Sequence, residues 1–337
     1  MLEIVSQPLP WQRTQWQRVT QQIERAQLPH ALLLAGPPGV GKRIFAQALG
    51  AMLLCRAPQY GAACGQCKSC QLLAAHTHPD WHWLAPEEIG KAIKIDQVRE
   101  LVEQMGQTAQ QGGRKLAVMA PAEAMNRNAA NALLKTLEEP TGSAQLILIG
   151  DMPGRLLPTL RSRCQRLDFP VPPRASIRGW LQPSATSPEK LEQALDEAAG
   201  RPLLARELLE GEGFAVRREL NEELAAILLR RMSVLAGAER WKQREWIPLL
   251  YWLESRIARA LRQQVVEEAE LSDQTVTLLA QAPAQALFGL LDQLRTLINL
   301  TLAGTNPNVQ LALESFLFAV CDAVNKKTPA QRLGPAS

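Results

Sequence analysis

The sequence predicts an α/β layered domain that carries a phosphate-binding loop, with helices running on to the C-terminus. Three observations predict it. A short apolar run, His30 to Ala35, leads into the glycine-rich turn Gly36-Pro-Pro-Gly-Val-Gly-Lys42 and then into a helical stretch, Ile44 to Leu54. That strand, loop and helix order is the context a phosphate loop requires. Lys115 to Ala120 and Gln145 to Gly150 read as two more buried strands, the latter almost wholly apolar, as a parallel central strand should be. Between them, Ala129 to Glu139 sets Leu133, Leu134 and Leu137 on one helical face and stops before Pro140. Strands that alternate with helices imply an α/β domain.

The loop matches the pattern G-x-x-x-x-G-K-[ST] except at its last position. Gly36, Gly39 and Gly41 allow backbone N–H groups to close around phosphate, and Lys42 is kept. Arg43 stands where a hydroxyl would hold Mg²⁺. A working ATPase also needs an acid at the end of its second strand. Here that strand ends in Ala120 and Pro121, and Glu123 could take the place of the acid only by a register shift. Two independent losses point the same way. ATP is expected to bind weakly or not at all, and no intrinsic catalysis is expected.

Cys64, Cys67 and Cys70 form C-x₂-C-x₂-C, and Cys55 precedes them by nine positions. Four thiolates at this spacing, with Gly65 inside the knuckle, suit a tetrahedral Zn²⁺ site. An iron–sulfur cluster also takes four cysteines, and His76 or His78 could replace Cys55 as the fourth ligand. Cys55 is preferred, because it ends the helix after the phosphate loop and would staple that helix to the inserted segment. Four protein ligands leave no open position, so the expected zinc is structural. Cys164 and Cys321 are expected to be buried thiols.

At 337 residues the chain should hold two or three domains, and its 46% hydrophobic share is ample for a core in each. A net charge of +4 is too mild to argue for nucleic acid by itself. No apolar run reaches bilayer-spanning length, and Met1 to Gln12 carries no signal-peptide pattern, so a cytoplasmic location without a membrane partner is expected. Pro170, Pro172 and Pro173 mark a boundary, after which a small helical unit runs to about Leu209. Gly211-Glu212-Gly213 reads as a linker. Beyond it, Leu220, Leu224, Ile227 and Leu228, then Ile247, Leu250, Leu253 and Ile257, keep helical spacing.

Asn131-Ala-Leu-Leu-Lys-Thr-Leu-Glu-Glu-Pro140 and Ser162-Arg163-Cys164 closely resemble the sliding-clamp loaders of the AAA+ class. His30-Ala31-Leu32, the phosphate loop, and Thr305-Asn306-Pro307-Asn308 with Leu311 and Glu314 also match, so the resemblance covers nearly the whole chain. It implies an AAA+ P-loop domain over 1–170 with an inserted four-cysteine zinc module (55–70), a helical lid over 171–210, and a helical collar over 211–337 that assembles a ring. It implies tau/gamma-type ATPase subunits and a delta-type clamp-opening subunit as partners, with the sliding clamp and primer–template DNA reached through the complex. Arg163 matches the arginine finger that reaches a neighbour's ATP. In ATPase members the helix after Gly200 carries an arginine that senses the γ-phosphate. Leu203 takes that place here, with Arg201 and Arg206 nearby, and the match at Gly150 and Asp151, where a small polar sensor is expected, is also poor.

The resemblance and the defective loop together imply a non-hydrolysing subunit that scaffolds the ring and supplies Arg163 in trans. The alternative is an active AAA+ motor with an atypical loop. Arg127 and Asn128, just ahead of the Ala129 helix, are candidates for contact with DNA phosphates. Nothing in the chain resembles a polymerase site, so a nucleotidyltransferase activity would belong to the complex.

Overall fold

Five parallel strands form the centre of the N-terminal part: β1 (Ala31–Ala35), β2 (Trp81–Leu84), β3 (Lys115–Met119), β4 (Ala144–Gly150) and β5 (Gln165–Asp168). Their order across the sheet is β2-β3-β4-β1-β5. The computed structural model describes residues 6–88, 91–111, 113–139, 142–211, 213–265, 273–302 and 307–325. Met1, Pro140, Glu212, Thr305 and Asn306, all used above, lie outside the described residues. The chain divides into two units, Met1–Glu210 and Gly211–Ser337.

Every residue of β1, β3 and β4 is buried, which explains why these three read as continuous apolar runs. Successive side chains go to opposite faces. Leu33, Met119, Leu146 and Leu148 pack on one face with Val98, Leu101, Leu133 and Leu137. The last four come from α4 (Ile95–Gly106) and α5 (Arg127–Glu138). Leu32, Leu34, Val118 and Ile147 pack on the other face with Val19, Phe45 and Leu49, from α1 (Arg13–Glu24) and α2 (Lys42–Leu54). The sheet is therefore covered on both faces, as a parallel sheet must be. Two starts differ from expectation. The loop helix begins at Lys42, and α5 begins at Arg127, because the Asn126 side chain accepts from Ala129 N–H at 2.8 Å and caps it there.

The rest of this unit is helical: α3 (Lys68–Ala74), α6 (Pro158–Arg161), α7 (Arg174–Leu181), α8 (Pro188–Glu197) and α9 (Pro202–Glu210). The C-terminal unit holds α10 (Gly213–Leu228), α11 (Val234–Trp241), α12 (Trp246–Val265), α13 (Gln274–Leu279), α14 (Ala284–Leu302) and α15 (Val309–Asn325). Its core includes Trp241 and Trp252, edge to face at 5.7 Å, with the Trp241 indole N–H donating to buried Glu223 at 2.7 Å. Fully buried Arg256 pairs with Asp273, which also caps α13. Cys164 is buried as expected; Cys321 is only half-buried, which corrects the expectation for that thiol. No described helix is long and apolar enough to cross a membrane.

Candidate functional site

The phosphate loop leaves the carboxyl end of β1, between β4 and β5, where Ala35 lies opposite Gly150 on one side and Asp168 on the other. In open α/β sheets this is where ligands bind. Gly39 and Gly41 have φ of +83° and +92°, which L side chains rarely adopt. Gly36 is required for a different reason. A Cβ there would lie 2.1 Å from the carbonyl oxygen of Phe169.

Lys42 has 3% exposure and is saturated by the protein itself. Its ammonium donates to the carbonyls of Gly36 at 2.5 Å and Pro37 at 2.7 Å, and pairs with the Asp151 carboxylate at 2.6 Å. Burial pulls the Lys42 pKa down, and Asp151 opposes the shift. Arg43 points its Nη2 at the carbonyl of Ala120, 3.2 Å away, at the end of β3. The guanidinium thus links the residue in the hydroxyl's place to the backbone of a residue in the acid's place. Glu123 does come near: its Oε1 accepts from the N–H groups of Asp151 at 2.8 Å and Met152 at 2.7 Å. It props up the loop that carries Asp151. Burial, then the Asp151 charge, pushes the Glu123 pKa up.

Neighbouring segments bond two further carbonyls of the loop. Leu203 N–H, at the start of α9, donates to Gly39 O at 3.0 Å. The Trp11 indole N–H and the Gln12 amide donate to Val40 O at 3.0 and 3.1 Å. Trp11 packs edge-on against Trp180 at 5.0 Å, and Arg206 lies over the Trp180 ring at 4.9 Å. Arg201 Nε donates to Ala198 O at 2.8 Å.

Cys55, Cys64, Cys67 and Cys70 converge, with all four sulfurs within 4.8 Å of one another. Sγ separations of 3.9 Å (Cys55 to Cys67), 4.0 Å (Cys64 to Cys70) and 3.5 Å (Cys67 to Cys70) bracket the roughly 3.8 Å edge of a tetrahedron with ~2.3 Å zinc–sulfur bonds. Cys64 N–H points at Cys55 Sγ and Cys67 N–H at Cys64 Sγ, at 3.3 and 3.4 Å, and Gly65 has φ of +72°. The donor set fits a metal such as zinc. The histidine alternatives fall away: among the described residues the converging donors are the four thiols. His78 is engaged elsewhere. Its Nε2 donates to Ser69 Oγ at 2.8 Å, Ser69 donates to Leu54 O at 2.6 Å, and its Nδ1 accepts from Asp80 N–H at 3.1 Å. Asp80 then accepts from the N–H groups of Gln110 and Gln111, each at 2.9 Å.

Arg163 lies between α6 and β5, away from the chain's own loop lysine in sequence and held by its own neighbours. Its Nη2 meets Glu138 Oε1 at 2.5 Å and its Nη1 donates to Thr159 O at 3.0 Å. Arg127 and Asn128 are exposed in the first turn of α5.

A family model described as DNA polymerase III, delta subunit, matches residues 11–173, a span that includes the loop, the four cysteines and Arg163. The chain is 45% identical to DNA polymerase III subunit delta' of Pseudomonas aeruginosa over 265 residues, 77% of this chain and 79% of that one. The chain belongs to the DNA polymerase III subunit delta' family. The Escherichia coli delta' protein is 39% identical over 217 residues, 64% of this chain and 65% of that one. Among solved structures, a gamma subunit-related protein from Thermotoga maritima is similar at 17% identity and a TM-score of 0.47, over 92% of this chain and 99% of that one. The α/β fold class expected from the sequence holds, as a five-stranded parallel sheet followed by helices. Sequence reasoning placed Asp151 at a poorly matched sensor position but missed its pairing with Lys42, and it missed Glu138 as a partner of Arg163. The signal for Glu138 was its place in the helical run that stops before Pro140 in the sequence.

Proposed function

We propose that this chain is the non-hydrolysing member of a clamp-loader ring, and that it supplies Arg163 in trans to ATP bound on a neighbouring tau/gamma-type subunit. The observation that carries the reading is the Arg43 contact with the Ala120 carbonyl, which puts a fixed cation where catalysis needs Mg²⁺. Phosphate entering the loop would also have to displace the Asp151 carboxylate from buried Lys42. ATP therefore binds here weakly or not at all.

In the assembled complex Arg163 stabilises the charge that builds on the transferring phosphoryl group. Fingers of this kind contribute roughly 10³ to 10⁵ in rate in GTPases. Arginine suits the task because its planar fork matches phosphate oxygens. The loop is tied to its neighbouring segments by Leu203 N–H on Gly39 O and the Trp11 indole N–H on Val40 O. That fits a scaffold against which other subunits move. On this reading residues 1–170 form the nucleotide-binding-type domain, 171–210 the lid and 211–337 the collar that joins the ring. Zinc on the four cysteines is structural. A delta-type subunit opens the clamp, and primer–template DNA meets the complex, with Arg127 and Asn128 as phosphate contacts.

The test is steady-state ATP hydrolysis by the chain alone, then with its tau/gamma-type partner, clamp and primed DNA. The expected result is background turnover alone and an assembled activity that collapses with Arg163→Ala. Lys42-dependent turnover by the chain alone would overturn the reading. The DNA contact is tested by Arg127→Ala, which should weaken DNA-dependent loading and reduce its salt slope.

A further inference from the structure

Arg163 is pinned before any partner arrives. The backbone on either side is fixed by the core, since Leu160 and Cys164 are both buried in it. What remains free is the arginine side chain, and two contacts from different elements take up that freedom. Glu138, the last residue of α5, meets Nη2, and Thr159 of α6 accepts from Nη1. The pair stays in reach of solvent, at 34% and 50% side-chain exposure. These two contacts engage two of the five N–H donors of the fork.

An ion pair this exposed contributes little to folding. Its position is also a poor one for a carboxylate. Glu138 and Glu139 close α5 at the end where the helix dipole disfavours negative charge. The pair makes physical sense as a device that sets the geometry of Arg163. A long, rotamer-rich side chain has to be ordered when phosphate is transferred, and ordering it in advance removes that cost from the reaction.

We propose that Glu138 is a positioning residue for Arg163, presetting the guanidinium for the nucleotide of the neighbouring subunit. The proposal rests on the reading of Arg163 as a finger acting in trans. Glu138 touches no reacting atom. It acts through Arg163 alone, so its effect should vanish when Arg163 is absent.

The experiment compares wild type, Glu138→Ala, Glu138→Gln, Arg163→Ala and the Glu138→Ala/Arg163→Ala double variant. Each is assembled with the ATPase partner, clamp and primed DNA. Glu138→Ala is expected to lower the assembled kcat about tenfold, short of the loss from removing the finger itself, with KM for ATP and complex formation on gel filtration unchanged. Glu138→Gln keeps an acceptor without the charge and should fall between. The double variant should be no slower than Arg163→Ala. The melting curve of the free chain should not move with Glu138→Ala. If Arg163→Ala abolishes assembled activity while Glu138→Ala leaves kcat unchanged or raises it, the positioning role is wrong and the finger stands. A double variant slower than Arg163→Ala would equally overturn it, because Glu138 would then act elsewhere. If Arg163→Ala has no effect, the finger reading itself falls, and the positioning role with it.

Discussion

Arg43 donates to the carbonyl oxygen of Ala120 at 3.2 Å, so the residue that replaces the metal-binding hydroxyl is bonded to the residue that replaces the acid. The two departures from the motif are in direct contact. Restoring the hydroxyl alone should therefore restore nothing. Arg43→Thr is expected to keep phosphate release at background. It should lower stability by about 1 kcal/mol, since the buried Ala120 carbonyl loses a donor. Phosphate-release assays and urea unfolding check both parts, and Lys42-dependent turnover in the variant would contradict the first.

Glu123 gives a pH signature. Its folded pKa is raised above the usual carboxylate value, first by burial and then by the Asp151 charge. Between the unfolded and folded values the native state holds more protons than the unfolded state, so stability from this group falls as pH rises through the folded pKa. Glu123→Gln keeps the oxygen that accepts from Asp151 and Met152 but cannot ionise. Relative to wild type, the variant should gain stability in denaturant unfolding as pH rises above the ordinary carboxylate range. A pH-independent difference would mean that the carboxyl does not titrate there.

The cysteine cluster predicts metal dependence. Purified wild type should carry about one zinc per chain, and Cys70→Ser should carry far less and melt at a lower temperature. Cys321→Ser, a half-buried thiol outside the cluster, should change neither. Elemental analysis and thermal unfolding on the same samples decide the matter. Unchanged zinc in Cys70→Ser would remove Cys70 from the ligand set.

The parts of this molecule that could be read from sequence are those whose physics is local or fully buried. The strands β1, β3 and β4 are covered on both faces, so they appear as unbroken apolar runs. The edge strands were not legible. Trp81–Leu84 is a four-residue run broken by His82 and half-buried throughout, and Gln165–Asp168 buries only Leu167 among polar neighbours, so neither reads as a continuous buried strand. The cysteines announce themselves because their ligand spacing lies within one short segment. Asp151 does not, because its meeting with Lys42 depends on β1 pairing with β4, which sets Gly150 beside Ala35. Glu138 was hidden for the same reason, since α5 and α6 bring it to Arg163 only in three dimensions.

The 2.1 Å approach that a side chain at Gly36 would make to the Phe169 carbonyl has a historical consequence. The glycine answers to backbone crowding whether or not phosphate ever enters the loop. A lineage that ceased to use nucleotide here would still be unable to discard it, and the left-handed Gly39 and Gly41 are fixed by their own backbone angles in the same way. A glycine-rich loop of this kind is first of all a record of how tightly the chain folds past itself.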